Sequence, residues 1–328
     1  MIIFACFSKF AFCSLSRIVM GADEIKIQDC TFLSLFCFTS GSVIFGQGIT
    51  GSFDLFRCTL YNCSSVVSGG AIFYDCGSGG NCNIDKVCAS HCFFTGNYNS
   101  GNDRGQFGFI LTSNMKNNRI NYLSILKCAP QMQNGVGSLC LRYGKHNIMN
   151  TNSSKNQCFY SAMAESVNGN STFISRCSFV DNVIQNYHNM YLNSGINSNL
   201  IEFCNIINNN GPSYGVISVQ GVCIYSLNNS IFINNSEYLF GSYGGYGGDC
   251  VLTVLNCFVY HSDTLTRLVN GGKVNLLNIK YSITPTYPII HFESFYCGAE
   301  IPLLKQTPNI IKINPFLQLL FVSYILEQ

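Results

Sequence analysis

The chain has 328 residues, of which 47% are hydrophobic and only 10% charged, with a formal net charge of +2. An ordinary soluble domain carries roughly 25% charged residues, so solubility here rests on Asn, Ser, Gly and Tyr. No Lys/Arg cluster supplies the concentrated positive footprint that binding to phosphates requires, which excludes nucleic acid as a partner.

Met1–Leu15 is apolar, but Lys9 interrupts it and no basic stretch precedes it, while Val19 and Gly21 offer a cleavage site before Ala22. Residues 1–24 are expected to form an irregular N-terminal cap or a signal-like segment. Residues 25–300 carry a repeat. It begins at Ile27, Cys30 and Phe32, continues at Leu55, Cys58 and Leu60, and keeps part of its form at Ile125 and Cys128. Cys92-Phe93-Phe94-Thr95-Gly96-Asn97 supplies its second half alone. The fullest copies are Ile174–Asn182, Ile201–Asn209 and Leu227–Asn235, which share the form aliphatic-x-x-Cys/Ser-x-apolar-x-x-Asn; Val254, Cys257 and Val259 follow. From Cys177 to Cys204 the step is 27 residues, then 26 to Ser230 and 27 to Cys257, and from Cys30 to Cys58 it is 28. Gly241–Gly248 is expected to be a flexible loop leaving the repeat. Residues 301–328 are expected to be an apolar C-terminal cap or tail. Its apolar run, Phe316–Leu326, falls short of the roughly 20 residues that a membrane-spanning helix needs, so no transmembrane helix is predicted.

A step of 26–28 residues rich in β-branched and aromatic side chains, punctuated by Gly and Asn, admits few architectures. Leucine-rich repeats would need a helical half, and no segment keeps helical spacing over three turns. The remaining solution is all-β: a right-handed parallel β-helix of roughly ten coils. In each coil the Cys and the apolar residue two places on share the inward face of a strand. The aliphatic residue three before Cys lies on the preceding strand, across a corner. The Asn tolerates the left-handed backbone of a sharp corner and stacks its amide on the Asn of the next coil. No coil can bury its inner face alone, so stability comes from contacts between neighbours.

Nineteen cysteines, an odd number spread along the chain, do not form the framework of a small disulfide-rich domain. Cys58/Cys63, Cys76/Cys82 and Cys88/Cys92 lie close in sequence, yet none is a CxxC and no Cys2His2 spacing follows. Disulfides in an oxidising compartment and buried thiols acting as small hydrophobes both remain open.

Ser68-Gly69-Gly70-Ala71-Ile72-Phe73 resembles the GGAI half, and Phe94–Asn97, Phe179–Asn182 and Phe232–Asn235 the FxxN half, of the repeats in chlamydial polymorphic membrane proteins. Cys- and Asn-rich β-helix surface proteins of parasitic protists are similar, within the wider pectin-lyase-like grouping. The resemblance covers about Ile25 to Lys280 and fades over Lys116–Ser154. It implies surface display or secretion and an adhesin-like interaction, with a carbohydrate or a host or cell-surface protein as partner. No alternating barrel-type segments follow residue 280.

No catalytic, cofactor-binding or metal-binding residue is assigned, and no cofactor is expected. Enzymes on this fold that cut acidic polysaccharides need clustered Asp for calcium or acid/base pairs, whereas the acidic residues here are scattered. A carbohydrate-active enzyme is the alternative, to be recognised by a groove gathering Asp75, Asp85, Asp103 and Asp181; a truncated family member without activity is another. His91, His146, His188, His261 and His291 are isolated and expected at coil surfaces or corners. Asn62, Asn152, Asn170, Asn228 and Asn234 head N-x-S/T sequons. The first reading is a non-enzymatic β-helix interaction module that binds through an exposed coil face or through side loops near Gly101–Gly108 and Gly241–Gly248.

Overall fold

A computed structural model of the chain describes residues 2–5, 18–20, 24–77, 79–95, 104–129, 137–161, 164–185, 188–195, 199–211, 214–236, 238–244, 249–260 and 265–281. Contacts divide the chain into Met1–Cys297 and Gly298–Gln328; the expected C-terminal cap at 301–328 lies outside the described residues.

Among the described residues every strand pair is parallel and no helix occurs. The chain winds as a parallel β-solenoid, the all-β fold expected from the repeat. Some turns are longer than the repeat allows: the step between register partners Asp85 and Asn121 is 36 residues. Each turn contributes two arms to one long sheet of nineteen strands and one arm to a second sheet of ten. Short third-side arms pair at Phe36–Cys37, Ser64–Ser65 and Phe93–Phe94, and again at Gln157–Cys158 and Val183–Ile184.

The register makes the inner columns explicit. Ile27, Leu55, Ile84, Ile120, Ile148, Ile174, Ile201, Leu227 and Val254 are successive partners, all buried. Strand alternation sends such residues inward, and each apolar side chain covers the one before it, giving a continuous core from Ile25 to Val259. Removing roughly 25 cal/mol of exposure cost per Å² of apolar surface at every step is what holds turn to turn.

Two corners interrupt the long sheet in each turn, and both are built alike. At the first, one residue adopts a left-handed backbone: Asp29, Arg57, Lys86, Tyr122, Asn150, Arg176, Phe203, Asn229 and Asn256, with φ between 47° and 56°. The next residue turns inward. Cys30, Cys58, Thr151, Cys177, Cys204, Ser230 and Cys257 occupy this position, and their thiols or hydroxyls donate to the carbonyl two residues back. Cys58, Cys177 and Cys257 also approach a carbonyl of the preceding turn. The recurring cysteine is therefore a small inward group that gives a second, weak donor to a backbone carbonyl which already accepts the corner N–H of the preceding turn, as at Phe56, Ser175, Glu202 and Leu255.

The second corner repeats this at Ser34, Asn62, His91, Lys127, Lys155, Asp181, Asn208 and Asn234, all with positive φ. This corrects two sequence expectations. The left-handed residue is the one before the conserved-form Asn, not that Asn itself, because Asn182, Asn209 and Asn235 are needed facing inward. Cys92 and Cys128, aligned above with Cys177, belong to the second corner: Ala89 pairs with Ile125, so Cys128 follows Cys63 and Cys92. The same local geometry at both corners spells the same short motif.

Gly241–Gly244 is also not a loop. Tyr238–Gly244 is a strand of the ten-stranded sheet; a Cβ on Gly241 would lie 2.0 Å from the Tyr214 carbonyl oxygen, and one on Gly244 would lie 1.8 Å from that of Asn270. Here glycine permits close backbone approach. Residues 245–248 and 101–103 lie outside the described residues.

Candidate functional site

The acidic residues proposed as a groove stay apart. Asp75 ends a strand of the ten-stranded sheet and accepts from the Gly77 N–H at 3.0 Å. Asp85 stands on the outer face of the long sheet and accepts from Asn121 Nδ2 at 3.0 Å. Asp181 is a corner residue that accepts from Asn208 Nδ2 at 3.1 Å. Asp103 lies outside the described residues. Among the described residues no group of three or more His, Cys, Asp or Glu is placed to hold a metal ion, and no helix is long and apolar enough to cross a membrane.

Of the sequons, Asn62 and Asn234 sit exposed at second corners, whereas Asn152 is buried and cannot carry a glycan in this fold. Cys88 is disulfide-bonded, while the other fifteen described cysteines are in the thiol form. Thus both alternatives for the thiols occur in one chain. His91 stands at a corner beside Tyr61, its Nδ1 2.8 Å from Ser90 Oγ. His261 and His291 lie outside the described residues.

His146 departs from the expectation. It faces inward between Asn118 and Thr172, its partners in the turns on either side, and is 2% exposed. Around it the lumen turns polar. Asn118 Nδ2 donates to Thr112 Oγ1 at 2.8 Å and to the Tyr143 carbonyl at 3.1 Å. Thr172 Oγ1 lies 2.6 Å from Ser194 Oγ and 3.0 Å from Ser166 Oγ. Asn199 Oδ1 accepts from the Thr172 N–H at 2.8 Å. Both nitrogens of His146 lack a hydrogen-bond partner, and burial lowers its pKa to about 4; the nearby Tyr143 carbonyl pulls the other way but is already taken by Asn118 and Thr112. Among the described residues this cluster is a buried polar segment of the core. Its signal was present in the sequence: two places before the aliphatic residue, Ile25 and Phe53 give way to Asn118, His146, Thr172 and Asn199.

Outside, the long sheet changes character along the chain. In early turns its outward residues are Lys26, Asp54, Asn83 and Arg119, which are register partners. The same column continues through Asn147, Phe173, Leu200, Ser226, Thr253 and Asn275, and the later turns also carry Val251, Leu255 and the exposed Phe203, Ile224 and Leu277 at other positions. An apolar group of this kind on an otherwise amide-rich surface is the feature the fold leaves unburied.

Comparison of the chain with protein-family models, with curated proteins and with solved structures gives no match.

Proposed function

We propose that the chain is a non-enzymatic β-helix module of surface or secreted type that binds a partner through the outer face of its long sheet. The observation that carries this reading is the outward apolar residues of the later turns, the half-buried partners Phe173 and Leu200 and the exposed Phe203, Ile224 and Leu277, since exposed apolar side chains offer contact area to a partner. The scattered acidic residues support a binding role over cleavage of a polysaccharide, and the GGAI and FxxN elements support a kinship with adhesin-like repeat proteins as an analogy of fold.

The test is saturable binding of the fluorescently labelled protein to intact eukaryotic cells, compared with a Phe203→Glu/Ile224→Glu variant whose circular dichroism is unchanged. Binding lost in the variant supports the reading. Equal binding by both, or release of reducing ends from polygalacturonate by the wild-type protein, overturns it.

A further inference from the structure

Neighbouring turns stack cysteine on cysteine at several places. Cys177 and Cys204 occupy one first-corner column, as do Cys30 and Cys58, and each of these thiols donates to a backbone carbonyl. Cys223 and Cys250 differ. They are direct Cα partners in adjacent parallel strands, both inward and both buried. No backbone carbonyl among the described residues accepts from either thiol, and the register sets the two side chains next to each other on the inner face.

We propose that Cys223 and Cys250 form an oxidisable inter-turn thiol pair that closes to a disulfide in the folded protein. In-register partners on adjacent strands stand about 4.8 Å apart, inside the Cα window of roughly 4.4–6.8 Å that a disulfide spans. Both residues are fully buried, so an oxidant reaches them only through local opening of these turns. The next partner of Cys250 is Gly272, which adds no side chain to that column. Asp249 and Gly271 beside the pair are exposed, and Val222 is 46% exposed. The pair is also electronically divided. The contact from Cys223 lowers the pKa of Cys250, with the side chain of Ser242 and the backbone of Tyr243 acting in the same direction against burial. The same contact, followed by burial, raises Cys223. Cys250 is thus the attacking thiolate and Cys223 the resolving thiol.

With a low-molecular-weight disulfide as oxidant, Cys250 Sγ attacks one of its sulfurs. A mixed disulfide forms and one small thiolate leaves. Cys223 then loses its proton and attacks Cys250 Sγ, releasing the second small thiolate. Two protein thiols are oxidised to one disulfide, and one small disulfide is reduced to two thiols.

The experiment treats the folded, full-length protein, with free thiols reduced, with glutathione disulfide, blocks remaining thiols, and maps peptides without reduction. The expected result is a linked peptide pair containing Cys223 and Cys250, with free thiols falling by about two per chain, while Cys177 and Cys204 are blocked only after unfolding. Cys223→Ser should leave a stable glutathione adduct on Cys250, and Cys250→Ser should leave Cys223 unmodified. Cys223 and Cys250 remaining thiols, or Cys177 and Cys204 linking equally, overturns the proposal; the wild-type map decides this even where a variant fails to fold.

Discussion

The second corner is built in two chemistries. In the early turns its inward residue is Leu35, Cys63, Cys92 and Cys128; in the later turns it is Asn156, Asn182, Asn209 and Asn235. Both kinds serve the same acceptor. Cys63 and Cys92 thiols approach the carbonyls of Phe32 and Leu60 in the preceding turn, at 3.7 and 3.5 Å. Asn182, Asn209 and Asn235 amides reach the equivalent carbonyls of Ser153, Phe179 and Ile206 at 2.7–2.9 Å. The amide does more than the thiol, because its Oδ1 also accepts. Asn209 Oδ1 takes both the backbone N–H and the Nδ2 of Asn182, and Asn235 Oδ1 does the same for Asn209. A thiol column fills space and weakly quiets a carbonyl, whereas the amide column locks three turns into one register.

This difference orders the expected effects of mutation. Asn209→Ala strands the Phe179 carbonyl and the Asn182 N–H in the interior, each costing about 1–3 kcal/mol, so a total loss of about 4 kcal/mol should appear in urea unfolding. Phe232→Ala, a buried ring in the apolar column beside Phe240, should cost about 3–5 kcal/mol by cavity formation, an effect of similar size that involves no ladder. Cys92→Ala should cost only about 1 kcal/mol; a loss equal to that of Asn209→Ala would show that the two chemistries are equivalent.

The polar lumen adds a pH term. His146 is held neutral, with a folded pKa of about 4 against an unfolded value of about 6.5. The unfolded state therefore binds more protons between these values, and the stability is present above pH 6.5 and lost as pH falls towards 4, by about 3 kcal/mol at most. His188, held at about 3 by burial and then by Arg104, acts in the same direction. His146→Gln should flatten part of the slope in a pH series of urea midpoints; an unchanged slope would refute the assignment. The smallest effect belongs to an outer corner. Phe203 carries φ 52°, a conformation costing a bulky residue about 1–2 kcal/mol, so Phe203→Asn should raise stability by about 1 kcal/mol.

Much of this fold is legible in the sequence because the repeat registers its columns directly. Ile174-x-x-Cys177-x-Phe179 names two inward faces and the bend between them, and Asn182 names the ladder. What escaped reading has a physical origin. The two corners share one local geometry, so Cys92 and Cys128 matched the wrong corner until strand pairing fixed them. His146 was misplaced because polar residues are expected outside; only the column of Asn118, His146, Thr172 and Asn199 shows that the lumen itself becomes polar. The outer apolar group draws on several turns, and neighbours such as Phe173 and Leu200 are 27 residues apart, a proximity that no local motif encodes.

The most direct test of the account is a crystal structure of the full chain, read at the second corner. The account predicts that Asn156, Asn182, Asn209 and Asn235 stand in one column at about 4.8 Å per turn, with the Oδ1 of Asn182, Asn209 and Asn235 each accepting from the Asn of the turn before. Amides dispersed over the surface, with Cys177, Cys204, Ser230 and Cys257 likewise out of line, would contradict the β-helix and the columns built on it.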